Sequence, residues 1–155
     1  MLKKIVIPLV IVVFLVATVL VIYKVLNPKD PEVLSQGNYI EATFMSDPLT
    51  PLDPNTANSV KVGGTIYDPQ GRPSFEITDV KITPMKVWNP DSSGKLVEST
   101  HPYFVSVYIT AKSINKKAAW AYPYGTDLIL SGAHLAIYGD NWKFWAVILT
   151  VKDIK

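Results

Sequence analysis

The chain has 155 residues, with 15 basic and 13 acidic side chains and no cysteine. The lack of cysteine excludes disulfides, thiolate metal sites and a cysteine nucleophile. Lys3, Lys4 and Lys24 flank an apolar run, so twelve basic residues face thirteen acidic ones elsewhere, which argues against a nucleic-acid-binding face.

Ile5–Tyr23 is an uncharged stretch of nineteen residues, apolar except at Pro8 and Thr18. At about 1.5 Å per residue a helix here covers roughly 28 Å, close to the hydrocarbon core of a bilayer. Secretory signals carry about 7–15 apolar residues and a small-residue cleavage site. No such site follows Tyr23, and without cysteine there is no lipoprotein anchor. The run therefore reads as an uncleaved transmembrane helix, with residues 1–26 as the anchor and the lipid bilayer contacted through Ile5–Tyr23. Pro8 falls early in the run, where a missing N–H costs a helix least. Lys3, Lys4 and the terminal amine against Lys24 and Lys29 favour an N-terminus inside and the C-terminal domain outside the cytoplasm.

Residues 27–38, with Pro28, Pro31 and Gly37, read as a stalk. At Tyr39 strict alternation begins: Ile40, Ala42 and Phe44 share one face, as a half-buried strand requires. Asp47–Pro54 holds three prolines and must be a loop, with Asp53–Pro54 able to cap and start one helical turn through Ala57. Thr65–Tyr67 leads into the turn cluster Asp68–Pro73, and Ser74–Thr83 alternates again with a slip of phase between Ile77 and Val80 that predicts a bulge. Met85, Val87 and Trp88 close that stretch before the polar loop Asn89–Gly94. Tyr103–Ala111 is the clearest strand, and Asn115–Lys117 turns it. Leu128–Leu130, His134–Tyr138 and Trp142–Lys152 follow, the last two as a hairpin.

About seven short strands at spacings near ten residues, without an amphipathic helix, predict an all-β domain over 39–155: a small antiparallel barrel or sandwich. Parallel pairing would need crossover helices that the sequence lacks.

The span, Val60–Asp68 with its Val62-Gly63-Gly64-Thr65, Glu76-Ile77-Thr78-Asp79-Val80, Leu128-x-Leu130-Ser131-Gly132 and Ala146–Leu149 together resemble a bacterial envelope family known as a single-pass domain of unknown function. Gly64 departs from it, since Asp is commoner there. A weaker resemblance, through the order of Phe44, Val62-Gly63 and Ile77, is to the lipid-trafficking domains named after mammalian cell entry, although their glycine-rich pore segment is not recognisable. That resemblance implies a homo-oligomer passing lipids through a central channel.

No motif carries catalysis. His101 and His134 are far apart in sequence, Ser99, Ser106 and Ser113 lack a nucleophile-elbow context, and Asp68, Glu76, Asp79 and Asp91 fall in or beside turns where carboxylates accept backbone N–H bonds. The sequence calls for no metal and no cofactor. The aromatic residues are the candidate contacts: Trp120, Tyr122 and Tyr124 at alternate positions around Pro123, and Trp142 and Trp145 on the last hairpin. Such rings stack on sugars, sit in a lipid interface, or form the core, the last being the commonest use in a small β domain. The reading as a whole is a non-enzymatic binding or assembly module of the bacterial cell envelope. It would work through protein partners at the cytoplasmic membrane, a homo-oligomer among the arrangements; lipid or glycan handling is the alternative.

Overall fold

The computed structural model describes residues 38–118 and 121–154. Within them, strands β1 (Tyr39–Ser46), β2 (Thr65–Tyr67), β3 (Pro73–Pro90), β4 (Leu96–Ser113), β7 (His134–Tyr138) and β8 (Lys143–Ile154) form an antiparallel sheet. Their order, β1-β4-β3-β2-β7-β8, closes through a β1–β8 pairing into a barrel. Of the two architectures expected from sequence, closure selects the barrel, which leaves no free edge where its strands pair. A short hairpin, β5 (Tyr122–Tyr124) and β6 (Asp127–Ile129), and one helix, α1 (Pro54–Ser59), complete the described elements.

Alternation builds the core directly. Ile40, Ala42 and Phe44 of β1 point inward with Ile66, Phe75, Ile77, Val107, Ile109, Ala111, Ile137, Ala146 and Ile148, all essentially inaccessible to solvent. Each fully buried Phe or Ile contributes about 1.5–3 kcal/mol of transfer free energy. The phase slip near Ile77 is a register shift between Ile77 and Asp79 against β4, so the face presented inward is reset partway along β3. At the two ends of the β1–β4 pairing, Ser113 Oγ accepts from Ile40 N at 2.9 Å and Ser46 Oγ accepts from Val107 N at 3.0 Å. Buried amides next to ladder ends are satisfied in this way.

Asp53 caps α1 as its position predicts: Oδ1 accepts from Asn55 N at 2.9 Å and Thr56 N at 3.1 Å, and Pro54 occupies the first turn. The helix runs two residues past the expected single turn, to Ser59, and buries Ala57. The Thr56 hydroxyl and amide hold the Asp53 carboxyl below the usual carboxylate range.

Two expectations need revision. β3 and β4 are each eighteen residues long, so the short-strand picture fails for the central hairpin. Glu76 and Asp79 lie within β3 and not beside turns. Among the described residues no helix is long and apolar enough to cross a membrane. The expected span over Ile5–Tyr23, the anchor 1–26 and all of the stalk but Asn38 lie outside the described residues.

Candidate interaction surface

The outer half of the β3–β4 hairpin leaves the barrel. Pro84 pairs with Val105, and the next register pair is Lys86 with Thr100, so Met85 alone faces the four residues His101–Phe104. Proline supplies no ladder donor, and both strands place one here, Pro84 and Pro102. Beyond this bulge, Lys86–Pro90 and Leu96–Thr100 continue as a two-stranded arm, its register set by Trp88↔Glu98 and Pro90↔Leu96. Five residues of strand reach about 17 Å.

A two-stranded ribbon has no interior, and nothing packs on either face of this one firmly enough to bury it. Trp88 is 63% exposed, Leu96 62% and Val97 47%, and Tyr103 in the bulge is 58% exposed. Register puts Trp88, Pro90 and Leu96 on one face together with the ion pair of Lys86 and Glu98. That pair is exposed on both sides and screened by solvent, so it adds little to stability. The Glu98 carboxylate, by hydrogen bonding and then by charge, raises the Lys86 ammonium above the usual lysine range. The opposite face carries Asn89, whose Nδ2 donates to Ser99 Oγ at 2.9 Å.

The tip is closed by Asp91. Its Oδ1 accepts from Ser93 Oγ at 2.6 Å, Ser93 N at 2.8 Å and Lys95 N at 3.0 Å, and Gly94 takes a positive φ of 81° that permits the turn. These donors, the Ser93 hydroxyl foremost, hold the Asp91 carboxyl below the usual range. The turn role expected for Asp91 is the one it fills. Asp68 does the same at the β2–β3 turn, accepting from Gln70 N, Arg72 N and Arg72 Nε at 2.8–2.9 Å.

The arm stands far from where the chain enters the barrel. β4 runs from the arm to Ser113, which bonds Ile40, so arm and entry point sit at opposite ends of one strand. At the entry, Lys117 N donates to Asn38 O at 3.0 Å and Lys117 Nζ lies 2.6 Å from the Asp153 carboxylate.

The aromatic candidates read from the sequence divide sharply. Tyr122 and Tyr124 do share a face, but it is the core face: both are buried, Tyr122 4.9 Å from the Phe75 ring, with its hydroxyl donating to Ser74 O at 2.8 Å. Tyr124 OH donates to Tyr67 O at 2.5 Å and lies 3.2 Å from Ala136 O. Trp142 is buried against Gly139 and stacked on Phe144 at 5.3 Å. These three rings are corrected from ligand contacts to packing, because an inward-facing ring on so small a barrel does more for burial than any outward one. Trp145 is half exposed on β8, registered opposite Ala136. Trp120 lies outside the described residues.

Trp88, Leu96, Val97 and Tyr103 were not among the sequence candidates. The signal that would have found them is the symmetrical pair Val87-Trp88 and Leu96-Val97 about a short polar tip, a hairpin pattern continuing past the point where the barrel ends. His134 Nδ1 lies 3.4 Å from Asp47 Oδ2, while His101 is committed to the arm's bulge. Among the described residues no group of three His, Cys, Asp or Glu could hold a metal ion.

Fold and surface together define a six-stranded barrel that carries an exposed apolar arm. Comparison of the chain with family models, with curated proteins and with solved structures finds no match.

Proposed function

We propose that the protein is a non-enzymatic binding or assembly module of the bacterial cell envelope, anchored through Ile5–Tyr23 with its barrel outside the cytoplasm, and that the arm is its contact element. The observation that carries this is the exposure of Trp88 and Leu96 on a ribbon that has no core of its own to serve. Exposed clusters of large apolar side chains with a Trp among them are characteristic of contact surfaces. Anchoring would confine the domain to the membrane plane and raise its effective concentration toward partners held there. Within the barrel domain, the arm and the chain entry lie at opposite ends of β4. The resemblance to the single-pass envelope family of unknown function agrees with this arrangement. The alternative, lipid or glycan handling, draws on the Trp120–Tyr122–Tyr124 row, and two of those three rings face the core.

The test is cross-linking in native membranes. A photoreactive residue replacing Trp88 or Leu96 is expected to capture a discrete protein partner identified by mass spectrometry, while one replacing the exposed Glu76 on the barrel wall captures none. Equal, diffuse labelling from all three positions would refute the arm as the contact element.

A further inference from the structure

Five turns among the described residues are closed by a side-chain acceptor that takes the amide two residues on. Four use an aspartate: Asp47 to Leu49, Asp53 to Asn55, Asp68 to Gln70 and Asp91 to Ser93. The fifth uses an imidazole nitrogen. His101 Nδ1 accepts from Tyr103 N at 3.2 Å and from Phe104 N at 3.0 Å, and so folds the four-residue bulge from which the arm springs.

We propose that His101 makes the base of the arm a pH-sensitive hinge, closed by the neutral imidazole and released when that ring is protonated. The chemistry follows from the acceptor. A neutral imidazole offers one lone pair, and here Nδ1 spends it on two backbone donors. Protonation turns Nδ1 into a third donor aimed at the other two, so both bonds are lost. Rotating the ring by half a turn keeps its contact with Phe104, 4.6 Å between centroids, but then presents a carbon to the two amides. Either way Tyr103 and Phe104 lose their partner. Imidazoles as a class take up a proton at milder acidity than carboxylates, which sets this acceptor apart chemically from the four aspartates.

The titratable groups nearest the bulge along the strands are Lys86 on β3 and Glu98 and Tyr103 on β4, and Asp53 follows Leu52, which bridges to Val105. Lys86 and Glu98 are paired with each other. Met85, which faces the bulge, and Leu52 bring no charge. Pro84 and Pro102 interrupt the ladder at the base of the arm, and the His101 bonds brace the bulge there. Releasing them frees Lys86–Thr100 to swing about Met85. The inference concerns the geometry of the arm and does not depend on the arm being a contact element.

The experiment is a titration of the full, isotope-labelled chain in detergent micelles from pH about 8 to about 5 by nuclear magnetic resonance. The Tyr103 and Phe104 amide signals are expected to shift with the same midpoint as the His101 ring carbons, and the order parameters of Lys86–Thr100 to fall across that midpoint. Hydrogen-exchange protection of Phe104, corrected for the intrinsic pH dependence, should drop about tenfold, the equivalent of one hydrogen bond. In His101→Asp, which keeps an acceptor of the kind used at the other four turns, the transition should vanish. Amides that ignore the ring titration, or a transition that survives in His101→Asp, would overturn the hinge.

Discussion

Replacing Tyr124 by Phe removes one oxygen from the weakest seam of the barrel. β2 and β7 share a single register pair, Tyr67↔Tyr138, whereas β3 and β4 are paired along most of their length. The Tyr124 hydroxyl sits across that seam, bonded to Tyr67 O on β2 and within 3.2 Å of Ala136 O on β7. Because the ring is fully buried, phenylalanine preserves the packing and isolates the hydroxyl. A hydroxyl has one proton, so one full bond is lost and one buried carbonyl is left short of a partner, at a cost of about 1–2 kcal/mol. For a domain of this size that lowers the melting temperature by about 4–8 °C. Urea and thermal unfolding of the full chain followed by circular dichroism measure the loss, and exchange of the Tyr67 and Tyr138 amides should rise with it. Tyr122→Phe is the control, since its hydroxyl serves Ser74 O on the long β3 strand and its loss leaves the seam untouched. Burial raises the Tyr124 phenol well above the usual tyrosine range. Above pH about 10 the unfolded chain therefore releases this proton while the folded chain keeps it, and stability falls as pH rises. In Tyr124→Phe that part of the alkaline loss should disappear. A variant melting within 1 °C of the parent, with unchanged exchange at the seam, would refute the hydroxyl's role in closure.

Asp68 gives the opposite pH dependence. Burial by itself raises its carboxyl, but donors from Arg72 and Gln70 outweigh burial and hold it below the usual range. Its contribution is thus present above the unfolded value near pH 4 and lost as pH falls through the lower folded value. Asp68→Asn should cost about 1–2 kcal/mol at pH 7, and urea midpoints at pH 3 should show the gap to the parent narrowing. Gly139→Ala tests close approach, because a Cβ there would fall inside the Trp142 indole. Trp142 must leave its stack on Phe144, at a cost of about 2–3 kcal/mol, and its fluorescence should shift to the red. Unshifted emission with parental stability would show that the turn yields without moving the ring.

Period-two patterning made much of the fold readable in advance. Ile40, Ala42 and Phe44 announced both a strand and its buried face, Asp53-Pro54 announced a capped helix, and the slip after Ile77 announced a register shift, because each signal is local and each follows from backbone geometry. The all-β class followed from the same signals summed over 39–155. Strand length did not. Met85, Val87 and Trp88 read as the close of a stretch before the polar loop Asn89–Gly94, and nothing local in Leu96-Val97 marks a strand that continues beyond the barrel.

Whether a patterned residue is covered depends on what lies across from it, and that is set by closure. Tyr122 and Tyr124 alternate as an exposed row would, yet the β5–β6 hairpin turns them inward onto Phe75 and the β2–β7 seam. Trp88 alternates as a core residue would, yet β3 and β4 run on after their neighbours stop, so its face meets water. By itself the sequence determined which segments extend, where they turn and which side chains share a face. Only the tertiary structure decided which face is inside, since a side chain's partners come from strands distant along the chain and solvent exposure is a property of their arrangement in space.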